Sequence, residues 1–418
     1  MHTFLCGVAL GNSRRFPHLV SRKSDEESRH LVGKSTERRC VNTPTLQSNT
    51  LVWNVLQILA VTGEFPWSSL HLLGNPPTVQ KMVSRLSHPT LFRNPQTGKE
   101  IHTKLFVLNG KGREKSLRLY KGALPLLHWL HPSAYGYYID SFWNHHFPGD
   151  SAHRNRNHRV AETVALCGDA GVNVLPYDLP RLQQLEIRKV TPDEPALYLA
   201  RDIKKAFPGE EKKTMFTRAV GALFFPGGCY AVYNTRDAAM KWKGMGEFKA
   251  LHSLTEVARW NGGITRLTGA VLMGKSYEAA LSALEYSDPR HPELRFDSIY
   301  PHIHFVPLDP FGARLLRLLT LPSWEERLLD LLFEPSTRTY GQGMMECDAQ
   351  VGGVWVLSHL DGDIARLLRF REGLWSRQGK AEVVCFPQQV PFVEDFLGGL
   401  ADLRVVELDA VEEGVKEP

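Results

Sequence analysis

The feature that most constrains the fold is a change of pattern near Ser151. From there onward, short apolar segments typical of strands, such as Ala270–Met273, alternate with segments of helical periodicity, such as Glu247–Trp260. This alternation predicts an α/β domain with a largely parallel sheet, because parallel strands need a crossover between them. We expect an α/β domain at 151–410, a linker at 131–150 before it and an acidic tail at 411–418 after it.

The chain before this point has a different character. Three short helical segments are expected at Leu51–Leu59, Pro66–Leu73 and Thr78–Leu86, followed by a hairpin whose turn is Asn94–Gly98. This order predicts a winged helix-turn-helix domain within residues 49–130. Residues 1–48 are polar and rich in Ser and Arg without apolar periodicity, so we expect a disordered basic leader there.

The third helical segment has one apolar stripe, formed by Val79, Met82, Val83 and Leu86 at helical spacing. In a helix-turn-helix the exposed face of this helix enters the major groove, where cations and hydroxyls contact phosphates and base edges. The expected DNA-binding residues are Thr78, Lys81, Ser84 and Arg85 on the helix, with Arg93, Lys99 and Lys104 on the wing. The alternatives are a merely solvated polar face and a winged helix that contacts protein.

The charge distribution supports a polyanionic partner. Residues 1–130 contain 18 Lys and Arg against 7 Asp and Glu, and residues 49–130 still carry 10 against 3. No apolar run is long enough to span a membrane, and the short apolar start at Met1–Leu10 lacks a basic region, so no signal peptide is expected. The six cysteines lie far apart without a CxxC pair, which favours a cytoplasmic protein with no metal and no cofactor.

Two motifs suggest enzymatic alternatives that involve DNA cleavage. His302-Ile303-His304 is similar to the His-hydrophobe-His strand of metal-dependent nicking enzymes, with Tyr340 as the nucleophile candidate. Glu247-Phe248-Lys249 matches the Glu-x-Lys of PD-(D/E)xK nucleases, but it falls in the first turn of an expected helix. We therefore expect no catalytic residues, with metal-dependent DNA nicking as the competing hypothesis.

Two further patterns have plainer interpretations. Gly269–Ser276 satisfies GxxxxGK[ST], but its intervening residues Ala, Val, Leu and Met predict a strand where a phosphate loop needs flexible backbone. His145, His146, His153 and His158 occur among arginines without an evident carboxylate or Cys partner, which indicates a basic linker entering a helix.

The layout resembles the replication-relaxation family of bacterial plasmids and integrative conjugative elements. The resemblance depends on Leu108–Gly112 at the end of the winged helix, His158-Arg159 at the start of the next helix, and paired strands at Val220–Phe224 and Tyr230–Asn234. It implies an N-terminal winged helix and a restriction-endonuclease-like α/β domain in a protein of a mobile element.

This chain departs from the nuclease pattern at the paired strands. It has Gly221-Ala222 and Val232-Tyr233-Asn234 where nuclease relatives carry acidic motifs, so the large domain is interpreted as catalytically degenerate. The resulting expectation is a double-stranded DNA-binding protein that acts in replication, transfer or transcriptional control. Its expected partners are replication or transfer proteins, or a second copy of the chain, and no membrane.

Overall fold

The computed structural model describes residues 46–415, except 48, 95, 143–144, 146, 148–149, 181–193, 207–217, 239–244, 260–263, 265–266, 286–295, 340–344 and 377–378. The expected leader therefore lies almost entirely outside the described residues, as does Tyr340. The fold is a mixed α/β arrangement with several sheets, as expected at the level of fold class. None of the described helices is long and apolar enough to cross a bilayer.

The described helices are α1 (Leu51–Thr62), α2 (Pro76–Leu86), α3 (Leu124–Leu130), α4 (Pro132–Ser141), α5 (Ser151–Asp169), α6 (Ala200–Ala206), α7 (Met245–Val257), α8 (Tyr277–Leu284), α9 (Pro310–Leu319), α10 (Trp324–Leu332), α11 (Ile364–Ser376), α12 (Val390–Leu397) and α13 (Leu408–Val415). The described strands are β1 (Glu64–Pro66), β2 (Thr90–Arg93), β3 (Glu100–Thr103), β4 (Phe106–Asn109), β5 (Ser116–Leu119), β6 (Ala196–Leu199), β7 (Ala219–Phe225), β8 (Gly228–Arg236), β9 (Gly269–Gly274), β10 (Ile303–Pro307), β11 (Ala349–Val351), β12 (Val354–Ser358), β13 (Ala381–Cys385) and β14 (Asp402–Val405).

Local sequence explains where α1 and α2 begin and end. The Thr50 hydroxyl accepts a hydrogen bond from the Trp53 amide, and the Asn75 side chain accepts one from the Thr78 amide, so both helices have capped N-termini. Helix α1 ends at Gly63, whose φ is +77° and whose α-carbon faces the Phe142 ring so closely that a Cβ would lie 2.7 Å from it. Between α1 and α2, Trp67–Leu73 forms a 3-10 helix.

The N-terminal part contains two small antiparallel sheets. Strands β2 and β3 form a separate hairpin, with Arg93 opposite Glu100. Strand β1 pairs with β5, which pairs with β4, so the β4–β5 hairpin belongs to a three-stranded sheet. Strand β3 ends at Thr103 and β4 begins at Phe106, because Leu105 is buried and its amide donates to Leu86 O between them.

Strands β6 to β10 form one central sheet in the order β10-β9-β8-β7-β6. Strands β8, β9 and β10 are parallel, whereas β7 is antiparallel to both β6 and β8. A second sheet, β11-β12-β13-β14, is parallel except for its β11–β12 pair. The expected largely parallel sheet is therefore mixed, because the β7–β8 connection is a tight turn at Pro226-Gly227 and not a helical crossover.

Two segments differ from the expected organisation. The stretch expected as a linker contains α4, where Ala134 and Tyr138 are buried. The acidic tail expected at 411–418 begins inside α13, because Leu408, Val411 and Val415 fall on one face of that helix and are buried where it packs against α10.

Helix α5 contributes residues to two hydrophobic cores. Its residues Ala161 and Ala165 are buried with the core around α1 and α2, whereas Val164 and Leu166 are buried with the core on one face of the central sheet. The opposite face of that sheet is covered by α7, α8, α11 and α12. The strands are buried on both faces, which explains their continuous apolar sequences.

Candidate functional site

The exposed face of α2 contains the expected recognition residues. Val79 and Val83 are fully buried and Leu86 nearly so, whereas Met82 is half-buried, so three of the four residues of the expected stripe lie in the core. On the other side of the helix, exposed side chains are contributed by Thr78, Lys81, Ser84 and Arg85. The apolar side chains therefore pack α2 against the core while the charged and hydroxyl side chains face solvent.

The expected wing residues are also exposed, but they belong to two structural settings. Arg93 lies on β2 opposite Glu100, and Lys99 lies in the turn just before β3. Lys104 follows β3, and its ammonium group lies 5.9 Å from the centre of the Tyr120 ring. The β2–β3 hairpin forms a two-stranded sheet of its own, separate from the sheet that contains β1.

A second set of cations, which sequence reasoning did not select, lies in the β4–β5 turn. Lys111 and Arg113 are exposed there, and the Lys115 ammonium lies 4.1 Å from the Trp67 ring centre. The 3-10 helix that contains Trp67 contacts both α2 and this turn. The sequence signal for this turn is the pair Gly110 and Gly112, which both have positive φ; a 3-10 turn occupies Gly112–Glu114.

Behind this surface, buried ion pairs connect the N-terminal part to the central sheet. Glu64 on β1 accepts hydrogen bonds from Arg118 at 2.7 and 3.0 Å, and its other oxygen lies 3.9 Å from His158 Nε2. Glu162 accepts a hydrogen bond from the Ser69 hydroxyl at 2.6 Å and pairs with Arg236 at 3.1 Å. Burial lowers the pKa of His158 to about 4, so this imidazole is neutral at pH 7.

The strands of the nuclease resemblance contain no acidic site in the described residues. Gly221 on β7 pairs with Val232 on β8, and a Cβ at Gly221 would lie 2.1 Å from Tyr198 O, so the glycine is needed for close strand packing. The Asn234 side chain donates to Arg159 O at 3.0 Å. Glu247 and Lys249 lie on helix α7, as expected, and Glu247 is buried in an ion pair with Arg218.

The other motifs also occur in the structural settings that were favoured. Gly269–Gly274 is strand β9 with every residue buried, so the GxxxxGK[ST] letters cover a sheet strand and not a loop. His153 and His158 lie on α5, where His153 is exposed and bonded to Asp150, whereas His145 bonds to the Tyr138 hydroxyl. His146 lies outside the described residues.

His302 and His304 belong to a polar cluster at the edge of the central sheet. His302 Nδ1 lies 2.8 Å from Asp363 Oδ2, and this hydrogen bond raises the pKa of the imidazole. Burial alone would raise the pKa of Asp363, but the hydrogen bond from His302 and the cationic neighbours hold it well below its usual value. Burial raises the pKa of Asp361 to about 7, against the opposing effect of Arg366.

This arrangement contains only part of the site that the DNA-nicking hypothesis requires. His302 and His304 flank Ile303 on or just before β10, but β10 is an edge strand parallel to β9 and not part of a central antiparallel sheet. Its tyrosine candidate, Tyr340, lies outside the described residues. What the sequence did not reveal is the pairing of these histidines with Asp361 and Asp363, about sixty positions later in the chain.

Comparisons of this chain with protein-family models, with curated proteins and with solved structures gave no match.

Proposed function

We propose that this protein binds double-stranded DNA through α2 and the two hairpins that follow it. The observation that carries the proposal is the orientation of α2. Its apolar stripe is locked in the core, while Thr78, Lys81, Ser84 and Arg85 face solvent. A helix held in this way presents fixed donors to the major groove, where Lys and Arg reach phosphates and guanine edges.

The order of elements around α2 supports a winged-helix interpretation of residues 49–130. Helix α1, strand β1, the 3-10 helix and α2 precede a hairpin whose sheet is completed by β1. In this interpretation the β4–β5 turn, with Lys111 and Arg113, is the wing, and β2–β3 is an additional hairpin. Both hairpins carry cations, which suit contacts to the phosphate backbone on either side of the groove.

Charge supplies the second argument. Within residues 49–130, 10 Lys and Arg face 3 Asp and Glu, and one of those acids, Glu64, is buried in its pair with Arg118. The Glu64–Arg118 pair removes one charge of each sign from the surface, so the positive excess of this part of the chain remains as the composition gives it. Such an excess attracts DNA by releasing its condensed counterions.

The biological setting of the proposal comes from the resemblance to replication-relaxation proteins. We infer a role in replication, transfer or transcriptional control of a mobile element. The α/β domain then serves to contact a replication or transfer protein or a second copy of the chain.

The test is the double substitution Lys81→Ala with Arg85→Ala, measured as duplex DNA affinity by fluorescence anisotropy. Both residues lie off the apolar stripe, so we expect weaker binding without unfolding. Loss of one or two such contacts costs about 1–3 kcal/mol, which corresponds to roughly 5-fold to 150-fold in affinity. The matched control is Lys249→Ala with Lys380→Ala, which removes two exposed charges from the large domain.

Equal losses in the test and control variants would show that net charge alone drives binding. Unchanged affinity of the α2 variant, with wild-type circular dichroism, would overturn the assignment of α2 as the DNA-reading helix. Retained binding to a protein partner with no DNA affinity in the wild type would favour the protein-contact alternative.

A further inference from the structure

Two short segments bring histidines and aspartates together at the β10 edge. The segment His302–His304 lies beside the segment His359–Asp363, which connects β12 to α11. The Phe305 amide donates to Gly362 O at 2.8 Å. Gly362 has a φ of +66°, and a Cβ at this position would lie 2.9 Å from Phe305 O, so a glycine permits the close approach.

Three of these residues have the spacing of a metal site. One side-chain ligand atom from each of His304, Asp361 and Asp363 lies within 4.8 Å of the other two, and all three residues are buried. Imidazole and carboxylate ligands bind Zn²⁺ at about 2.0–2.2 Å, so ligand atoms around one ion lie roughly 3–4 Å apart. Small side-chain movements would bring the three groups to that separation.

Hydrogen bonds to the backbone hold His304 and Asp363 in place. His304 Nδ1 lies 3.0 Å from Asp361 O. A carbonyl only accepts, so Nδ1 donates, and the neutral ring has its lone pair on Nε2. Asp363 Oδ1 accepts from the amides of Ala365 and Arg366 at 2.9 and 3.1 Å. Metal ligands typically have outer hydrogen bonds of this kind.

Unpartnered ring nitrogens provide an independent indication of a bound group. In the described part of the chain, His304 Nε2 and both ring nitrogens of His359 have no hydrogen-bond partner. Each of these histidines is 1% exposed. Leaving a buried polar atom without a partner costs about 1–3 kcal/mol. Native structures resolve most such cases with water or an ion.

The charge around the cluster also favours a cation. Arg366 pairs with Glu346 and Asp348 and lies 3.7 Å from Asp361, while Arg369 pairs with Glu346 and Asp297. With Asp363, which pairs with His302, five carboxylates therefore surround two guanidinium groups and one imidazole, and most of these side chains are shielded from water. An uncompensated buried charge is costly, and a divalent ion would compensate it.

We propose that His304, Asp361 and Asp363 bind one divalent transition-metal ion. A mixed imidazole and carboxylate donor set suits Zn²⁺, Mn²⁺ or Fe²⁺ and disfavours Ca²⁺, which prefers oxygen ligands alone. An adjoining cavity of about 260 Å³, lined by His302, Ser358, Asp361 and Arg366 among others, gives the ion a path to solvent. This site is independent of the proposed DNA interface.

The proposal is tested by metal titration of the full chain after chelator treatment and dialysis. Binding of Mn²⁺ is measured by the loss of the free-ion signal in electron paramagnetic resonance, and Co²⁺ is added for its visible absorption bands. We expect one ion per chain. The variants His304→Gln, Asp361→Asn and Asp363→Asn should each lower affinity by at least about tenfold to a hundredfold.

The matched control is Asp309→Asn, because Asp309 accepts from Gly312 N at the start of α9 as Asp363 does at the start of α11. This variant should bind the metal like the wild type. Absence of a stoichiometric Mn²⁺ or Co²⁺ site in the wild type would overturn the proposal. So would unchanged binding in the folded Asp361→Asn chain, or an equal loss in Asp309→Asn. If a histidine variant unfolds, the two asparagine variants decide.

Discussion

The exposed face of α2 and the buried histidine–aspartate cluster both contain polar and charged side chains, but hold them in opposite environments. On α2, Lys81 and Arg85 extend into water from a helix whose packing depends on other residues. In the cluster, Asp363 is bonded to His302 and to several backbone amides, and its charge lies inside the fold. A charged side chain that is surrounded by water can be removed with little effect on stability. A charged side chain that is bonded inside the fold contributes to stability, and its removal is costly.

The largest expected difference between the two places is in their effect on stability. We expect Asp363→Ala to lower the free energy of unfolding by about 3–5 kcal/mol, because it removes one partner of a buried charged network. It also removes the cap of α11. Lys81→Ala should change it by less than about 0.5 kcal/mol, since the side chain is exposed. Urea unfolding followed by circular dichroism gives both values.

Asp363→Asn separates the two contributions, since the amide oxygen can still cap the helix. A stability loss below about 1 kcal/mol for Asp363→Ala would mean that the cluster is as dispensable as the α2 surface, and the contrast would fail.

The second prediction concerns the stability of the fold at acidic pH. It depends on His158, which lies among the buried ion pairs behind the α2 surface. The pKa of His158 is about 4 in the fold and about 6.5 when unfolded, so the unfolded chain binds more protons between these values. Stability should therefore fall as pH decreases from about 6.5 to 4, by about 2–3 kcal/mol from this group. Urea unfolding at pH 7 and pH 4.5 measures the change.

Replacing His158 by Gln should remove part of that pH dependence. His153→Gln on the same helix is the control, because His153 is exposed and should leave the dependence unaltered. Identical pH profiles for the two variants would rule out buried His158 as a source of acid sensitivity.

The salt dependence of DNA binding tests the exposed face of α2. If α2 and the hairpins contact phosphates, log K for DNA should decrease with log salt concentration by about 0.9 per contact. Lys81→Ala should reduce that slope by about one contact, whereas Lys249→Ala should not. A flat salt response of the wild type would place DNA contacts, if any, away from this basic surface.

The smallest expected effect is on DNA affinity, and it distinguishes which of the two hairpins contacts DNA. Lys111→Ala with Arg113→Ala removes charge from the β4–β5 turn, and Arg93→Ala with Lys99→Ala removes it from the β2–β3 hairpin. We expect an affinity loss of about tenfold or less for the hairpin that contacts the backbone, as for one phosphate contact. A loss only in the second pair would identify β2–β3 as the wing.

Local periodicity was sufficient to predict much of the fold. The stripe of Val79, Val83 and Leu86 identified the buried face of α2, and the apolar run at Gly269–Gly274 correctly indicated a strand. Both patterns are decided by neighbours in sequence. The DNA-binding roles assigned to the opposite face of α2 remain predictions.

Long-range contacts explain what the sequence did not reveal. The partner of β1 is β5, some fifty residues away, so the hairpin containing Lys111 could not be distinguished from the one containing Lys99. Similarly, His302 shows no sign in its own segment that Asp363 will bond to it. The cluster exists only because the β10 edge and the β12–α11 connection meet.

Helix α5 limits where this chain can be cut and joined to another protein. Because Ala161 and Ala165 complete the core of the N-terminal part, a piece ending near Leu130 would lack a wall of its own interior. Such a piece would also lack Glu162, so the Ser69 hydroxyl would lose its hydrogen-bond partner. A transferable module must therefore extend through Asp169, and any gene fusion that exchanges the front of the chain must carry this helix with it.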